Sequence, residues 1–268
     1  KIDISGVDTE LVRSVTVSDL YGFMVYCKEE LKNNTATRAR KTSTLRLFFK
    51  YMSVQTHRLD SNPADLLEAP KIKQSLPKYL SLEDSLELLN SVDGENGRRD
   101  YCILTIFLNC GLRLSELCGL DLSDISSDGT MTVTGKGNKE RMVYLNDSCK
   151  TAIKRYLEVR PHEGLPADSK NALFISRNRK RISPRTVEHI VTSYIKKAGL
   201  DGRGLSTHKL RHTAATLMYR HGHVDIRVLK DILGHANLGT TQIYTHVSDE
   251  QIKSAIDSNP LSEVKSKK

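Results

Sequence analysis

Hydrophobic residues recur every three or four positions along most of this chain, a spacing that predicts a mainly helical protein. In "VSDLYGFMVYCKEELK" the apolar residues that share one helical face are Leu20, Phe23, Met24 and Cys27. A second stripe, in "TRARKTSTLRLFFKYMSV", consists of Leu45, Phe48, Phe49 and Met52. Such stripes cover a core from one side, so the start of the chain is predicted to pack as a helical unit.

One segment alternates apolar and polar residues instead. "GTMTVTGKGNKERMVYLN" alternates on both sides of "GKGN" (residues 135–138), which predicts two strands joined by a tight turn. The expected fold class is therefore mainly α with a small antiparallel sheet. "GKGN" lacks the spacing of a phosphate-binding loop and joins two strands, which argues against a nucleotide site. Lys136 at its tip is either a solvated turn lysine or a side chain delivered into a cleft.

A cluster of prolines predicts a boundary between two domains. Three of the seven prolines fall in "NPADLLEAPKIKQSLPKYLSLED", and proline interrupts helices. We therefore place a helical domain at residues 1–70, a linker at 71–79 and a second domain at 80–268. The second domain begins with a helix near Ser81, with acidic residues in its first turn.

The charge of the chain favours a polyanionic partner. Its 41 Lys and Arg against 32 Asp and Glu give a net charge of +9, which suits DNA but does not require it. The other faces of the helix that carries the second apolar stripe are basic, with Arg38, Lys41, Arg46 and Lys50. They form either a solvated face or a surface laid along a phosphate backbone. No apolar run reaches the roughly 18 residues of a membrane span, so no membrane partner is expected.

The cysteines point to a reducing compartment. Five are present, an odd number without a C-x-x-C pair, so reduced and mostly buried thiols of a cytoplasmic protein are expected.

Two short motifs carry residues that can bind an anion. Arg113 in "NCGLRLSELCGL" lies among leucines and needs a negative partner, which Glu116 provides in part; a surface Arg–Glu pair is the alternative. In "LSTHKLRHTAATLM" the residues His208 and Arg211 share one face near the start of a predicted helix, which is a favourable phosphate site. The neighbouring His212 is expected to pack or to face solvent.

The end of the chain carries a tyrosine among histidines. In "DIRVLKDILGHANLGTTQIYTHV" a helix ends at Gly234, and Tyr244 either packs on a core or acts as a nucleophile. His221, His223 and His235 lack H-x-x-x-H spacing with a carboxylate partner, so a metal site is not expected.

Taken together, "GLRLSEL", "TGKGNKERMV", "STHKLRHTAATLM" and "LGHANLGTTQIYTHV" resemble the motifs of the tyrosine recombinase family, closest to its Xer-type site-specific recombinases. The resemblance covers nearly the whole chain. It implies a helical core-binding domain and a mixed α/β catalytic domain that clamp DNA in a C shape. The catalytic residues that it implies are Arg113, Lys136, His208, Arg211, His235 and Tyr244. The family's usual first helix has no counterpart in Lys1–Arg13, so we expect that helix to be missing.

The resemblance also implies a reaction without cofactor, metal or ATP. Tyr244 attacks a DNA phosphodiester, the two arginines and His235 hold its non-bridging oxygens, His208 takes the phenol proton and Lys136 protonates the leaving 5′-hydroxyl. The expected DNA-contacting residues are Arg38, Lys41, Arg46, Lys50, Lys139 and Arg141.

The partners that the resemblance implies are a double-stranded DNA recombination site and other copies of this chain. We expect a homotetramer on two sites, with or without a related recombinase, at the nucleoid in the cytoplasm. Ile252, Ala255 and Ile256 lie at helical spacing in "DEQIKSAIDS" and are expected to dock on a neighbouring subunit or on their own domain. The alternative functions are a type IB topoisomerase, a DNA-binding regulator without activity, and a metal nuclease.

Overall fold

The computed structural model describes residues 6–72, 78–135, 137–221 and 224–234. It divides the chain into two compact units, Lys1–Leu76 and Pro77–Lys268. The described residues are mainly helical with one two-stranded antiparallel sheet, which confirms the predicted fold class.

The first unit is built from helices. They are α1 (Thr9–Arg13), α2 (Val17–Glu29) and α3 (Thr35–Lys50), and a π-helical turn (Tyr51–Gln55) continues α3. A reciprocal pair of hydrogen bonds between Thr16 and Asp19 starts α2, and it satisfies amides that would otherwise lack partners. The two predicted stripes form most of the core of this unit, but Phe23 and Phe48 are 40% and 44% exposed.

The second unit surrounds one buried helix. Its helices are α4 (Leu82–Asn90), α5 (Gly97–Cys110), α6 (Leu114–Gly119), α7 (Asp147–Leu157), α8 (Pro184–Lys197), α9 (Thr207–His221) and α10 (Ile226–Leu233). Helix α5 packs against both α7 and α9, and its apolar side chains from Cys102 to Cys110 belong to the main core. Because α5 is apolar on several faces, it is stable only when covered on several sides.

The predicted hairpin is present. Strands β1 (Thr130–Thr134) and β2 (Glu140–Tyr144) pair antiparallel, with Val133 opposite Arg141. The Gly135 amide donates to the Lys139 carbonyl at 2.7 Å and extends the ladder toward the turn. The predicted helix start at Ser81 is also confirmed, since Ser81 and Asp84 cap α4 reciprocally.

The five cysteines are free thiols and all are buried, as predicted. Two of them meet where α5 ends and α7 begins: the Sγ atoms of Cys110 and Cys149 are 3.8 Å apart. None of the helices within the described residues is both long and apolar enough to cross a membrane.

Candidate active site

Arg113 is placed by the sharp turn between α5 and α6. Gly111 ends α5 in the left-handed conformation (φ +60°), and a Cβ there would lie 2.8 Å from the Leu233 side chain, so only glycine fits. Leu112 is fully buried and anchors the turn. The Arg113 side chain, 38% exposed, therefore leaves the core surface directly before α6.

Glu116 lies at the centre of the site and is almost completely buried. Its Oε1 accepts a hydrogen bond from Arg113 Nη1 at 2.7 Å, and Arg141 binds both of its oxygens, each at 2.8 Å. Arg211 Nη1 lies 3.9 Å from Oε2. The predicted Arg113–Glu116 pair is present, and two further arginines converge on the same carboxylate.

The guanidinium groups keep Glu116 ionised. Burial by itself would raise the pKa of Glu116, because it penalises the charged form. Hydrogen bonds from Arg141, and then from the backbone and side chain of Arg113, outweigh burial and lower the pKa to about 2. The carboxylate is thus a permanent anion that the arginines surround at neutral pH.

The same three arginines also bind the end of α10. Arg141 Nε donates to the Ile232 carbonyl at 3.2 Å. The next two carbonyls, of Leu233 and Gly234, accept from Arg211 Nη2 at 2.6 Å and from Arg113 Nη2 at 2.9 Å. The last carbonyls of a helix have no partner within it and form its negative end, so cations bind there favourably.

Arg211 is the most deeply buried of the three. It projects from α9, is 3% exposed, and donates from Nη1 to the Gly111 carbonyl at 2.6 Å. This bond connects α9 to the same turn that places Arg113. Arg113 and Arg211 are therefore held side by side by a shared carboxylate, a shared turn and the end of α10.

His208 lies one helical turn before Arg211 on α9 and contacts His212. The two Nε2 atoms are 2.9 Å apart and the rings meet edge to face. His212 is buried and hydrogen-bonded, which decides between the packed and solvent-facing alternatives. Partial burial, and then the positive charges of Lys209, Arg211 and Arg113, lower the pKa of His208 below its ordinary value. Its imidazole is therefore neutral at pH 7 and can accept a proton.

The six predicted catalytic residues are thus only partly described. Arg113, His208 and Arg211 lie together, whereas Lys136, His235 and Tyr244 lie outside the described residues. Two of these three have described neighbours in the site. Lys136 follows Gly135 at the end of β1, and His235 follows Gly234, whose carbonyl binds Arg113. The proposed docking residues 252, 255 and 256 also lie outside.

The predicted DNA-contacting residues of α3 fall into two groups. Arg46 and Lys50 are exposed, whereas Arg38 and Lys41 are partly buried. Lys41 Nζ lies 3.2 Å from Cys27 Sγ and 5.4 Å from the centre of the Phe23 ring. DNA contact by all four residues stays a prediction.

The hairpin residues Lys139 and Arg141 also differ from each other. Lys139 is exposed, while Arg141 is turned inward to Glu116 and its side chain is 14% exposed. Sequence reasoning assigned Arg141 to DNA and missed its contact with Glu116. The alternation of β2 carries that signal, because Arg141 shares the inward face with the buried Val143.

A metal centre finds no support in the described part of the chain. There, no three side chains of the His, Cys, Asp and Glu types are grouped so that they could hold an ion. The polar groups that converge on the Glu116 carboxylate are the guanidinium groups of Arg113, Arg141 and Arg211, and such donors suit an oxyanion.

Comparison with known proteins gives a consistent set of relatives. Residues 78–251 match the model of the phage integrase family. Over 263 residues, 98% of this chain and 74% of the other, the sequence is 51% identical to tyrosine recombinase XerC of Caldanaerobacter subterraneus subsp. tengcongensis. It is 40% identical to tyrosine recombinase XerD of Proteus mirabilis over 243 residues, covering 90% and 77%.

Solved structures agree at the level of the fold. The crystal structure of XerA recombinase has a TM-score of 0.58 at 28% identity, covering 95% of this chain and 85% of that one. XerH site-specific recombinase, bound to a palindromic difH substrate after cleavage, has a TM-score of 0.76 at 24% identity, covering 92% and 73%.

Proposed function

This chain belongs to the phage integrase family and is a tyrosine recombinase, and we propose that it cuts and rejoins DNA through a bond between Tyr244 and a DNA 3′-phosphate. Site-specific DNA recombination through a tyrosine intermediate is its activity. In the proposed reaction the phenol oxygen forms a bond to phosphorus, the bond to the 5′-oxygen breaks, and a 5′-hydroxyl leaves. The new phosphotyrosine ester retains the energy of the broken phosphodiester bond, so strand joining needs no ATP. The cationic side chains stabilise the developing charge, so the proposed reaction needs no metal either.

Arg113 and Arg211 bind the scissile phosphate in this proposal. Negative charge builds on the two non-bridging oxygens as phosphorus becomes five-coordinate, and guanidinium groups stabilise it with paired hydrogen bonds. Their contacts to Glu116 and to the end of α10 hold them in place before DNA arrives. Such preorganisation lowers the barrier because little rearrangement is needed during the reaction. His235, next to Gly234, adds a further donor.

Two proton transfers complete the reaction. A free phenol has a pKa of about 10, so Tyr244 needs a base at neutral pH. His208 is that base, and its lowered pKa keeps it unprotonated and available. Lys136, carried by the turn between β1 and β2, protonates the leaving 5′-oxygen.

Convergence of Arg113 and Arg211 on one buried carboxylate is the observation that carries the proposal. Three positive guanidinium groups surround one negative carboxylate, so the cluster retains a positive charge toward solvent. Arg113 is the most exposed member of the cluster, and the anion that it binds in the proposed reaction is a DNA phosphate.

A nicked suicide duplex tests the assignment of Tyr244. Cleavage releases a short 5′-hydroxyl fragment that diffuses away, so the protein–DNA bond is trapped and retards the protein on a denaturing gel. We expect an adduct in EDTA from the wild type and from Tyr144→Phe, a control at a residue of β2 that is 79% exposed. Tyr244→Phe is expected to bind the duplex and form no adduct.

The other outcomes separate the alternatives. An adduct from Tyr244→Phe would move the nucleophile to another residue. Cleavage that stops in EDTA and leaves no adduct would point to a metal nuclease. Adduct formation followed only by relaxation of supercoiled DNA, without exchange of flanking sequences between two sites, would point to a topoisomerase.

Double-stranded DNA is the partner of this chain, and we propose a homotetramer that joins two DNA sites. Recombination exchanges four strands, so four nucleophiles must act in one complex. The location proposed is the nucleoid in the cytoplasm, because the DNA substrate is there. Light scattering of the chain with its DNA site would give the mass of the complex, and a mass that never exceeds one protein dimer on one duplex would contradict the tetramer.

A further inference from the structure

Arg141 connects the hairpin to the proposed phosphate-binding arginines. Its two Nη atoms bind the two oxygens of Glu116, each at 2.8 Å, and its Nε donates to the Ile232 carbonyl at 3.2 Å. All three nitrogens of the guanidinium thus contact acceptors of the protein itself. The side chain, which is 14% exposed, is therefore fixed to the protein through its whole guanidinium group.

The position of Arg141 in the hairpin determines what it can orient. It pairs with Val133, which is fully buried, and the ladder continues through Thr134 and the Gly135 amide. The following residue is Lys136. Fixing Arg141 therefore fixes the strand ends from which the turn projects, relative to Glu116 and Arg113.

The end of α10 is built around the same side chain. A Cβ on Gly234 would lie 3.0 Å from Arg141 Cδ and 3.2 Å from its Nε, so the backbone passes against the Arg141 side chain. Gly234 also needs a left-handed conformation (φ +63°) to stop the helix. Arg141 thus contacts β2, α6 through Glu116, and the last turn of α10, three elements that come from separate parts of the chain.

We propose that Arg141 is a positioning residue that orients Lys136 toward the leaving 5′-oxygen by fixing the hairpin to Glu116. The proposal rests on the function given above, in which Lys136 is the general acid. Arginine suits this role because its planar fork matches both carboxylate oxygens at once, whereas lysine offers a single point charge. A displacement of about 1 Å is enough to reduce a rate by about 10²-fold when the displaced group takes part in the reaction.

A sulfur substitution in the DNA distinguishes this role from others. When sulfur replaces the bridging 5′-oxygen, the leaving group is a thiolate, and a thiol with a pKa of about 8.5 departs without being protonated. A defect in proton donation is then rescued. A defect in binding the non-bridging oxygens is not rescued, because those oxygens still gain charge.

The test compares single-turnover cleavage at saturating DNA for the wild type, Arg141→Lys and Arg141→Gln. Arg141→Lys keeps a positive charge beside Glu116, so it preserves the fold even where Arg141→Gln unfolds. Glu140→Gln, on the exposed face of the same strand, is the matched control. We expect both Arg141 variants to cleave oxygen DNA about 10²-fold more slowly and sulfur DNA within about 3-fold of the wild type, with Glu140→Gln unchanged on both.

Two further variants calibrate the readout. Lys136→Ala should show the same rescue by sulfur, and Arg113→Ala should show none. Arg141 variants that stay equally slow on sulfur DNA would mean that Arg141 acts on the arginines or on the fold, and this would overturn the proposal. Unchanged rates at saturating DNA, with or without weaker binding, would overturn it too. If the wild type forms no adduct at all, the proposed function has failed, which is a different outcome.

Discussion

Arg211 donates a hydrogen bond of 2.6 Å to the Leu233 carbonyl, so a residue of α9 is fixed to the last turn of α10. Gly234 follows Leu233, and its carbonyl binds Arg113. A displacement of the end of α10 would therefore also displace both proposed phosphate-binding arginines.

Arg211→Ala should reduce cleavage much more than DNA binding. The interaction between its guanidinium and the phosphate is proposed to become stronger as charge builds in the transition state. Loss of this interaction therefore lowers the maximal rate rather than the affinity for DNA. We expect a fall of about 10²–10³-fold in single-turnover cleavage, the size found when one oxyanion-binding donor is removed. Arg220→Ala, at the far end of the same helix, serves as the control for a loss of positive charge. If Arg211→Ala lost cleavage and DNA binding in a gel-shift assay to the same extent, Arg211 would contribute only to DNA binding.

Glu116→Gln should remove a pH-dependent contribution to stability. The folded pKa is about 2, below the ordinary 4.5, so the ionised carboxylate stabilises the fold above pH 4.5 and loses this effect as the pH falls toward 2. A shift of this size corresponds to about 3 kcal/mol at pH 7. Urea unfolding of both proteins from pH 7 to pH 3 measures the difference, which should shrink below pH 4.5.

Glu158→Gln provides the matched control for that series. Glu158 forms an exposed ion pair with Arg98 at 3.0 Å, and such surface pairs contribute at most about 1 kcal/mol. A wild-type minus Glu116→Gln difference that stays constant between pH 7 and pH 3 would show that the folded and unfolded carboxylates bind protons equally, so that folding does not lower the pKa of Glu116.

Local patterns in the sequence predicted the local structure of the site. Alternation around "GKGN" predicted both strands of the hairpin, and Arg113 among leucines predicted a nearby anion, which is Glu116. Residues three apart on a helix are neighbours by geometry, so the Arg113–Glu116 contact is visible in the sequence. The stripes of α2 and α3 were less reliable, since Phe23 and Phe48 are substantially exposed.

Contacts between distant segments could not be derived in this way. Arg141 and Glu116 meet only because the hairpin, α6 and α10 pack together, and a periodic pattern on one element does not report which element lies opposite. The hydrogen bonds to the three carbonyls at the end of α10 could not be predicted from the sequence for a further reason. Any residue has a carbonyl, so only the fold determines which ones face the arginines.

Gly111→Ala should destabilise the protein and slow cleavage together. The left-handed backbone at Gly111 costs an alanine about 1–2 kcal/mol, and the new Cβ would lie 2.8 Å from Leu233 Cδ2. Gly202→Ala is the control, because Gly202 also has a positive φ of +73° but nothing lies within 4 Å of its Cβ position. Thermal unfolding should show a larger loss for Gly111→Ala, and only this variant should lose cleavage. Equal effects of both variants would mean that the contact with Leu233 adds nothing to the backbone strain.

The pH profile of cleavage tests the proposed base, His208. Its pKa lies below the ordinary 6.5, so it is unprotonated above that pH, and wild-type cleavage should change little from pH 7 to pH 9. His208→Gln keeps a polar partner for His212 but cannot take the proton from Tyr244. The variant then depends on the small fraction of phenolate, which rises about tenfold per pH unit below a phenol pKa of about 10. Its single-turnover rate should therefore climb steeply from pH 7 to pH 9, while His189→Gln, on the exposed face of α8, follows the wild type. A flat profile for His208→Gln would assign the proton to another acceptor, and His208 would then act as a hydrogen-bond donor to the phosphate.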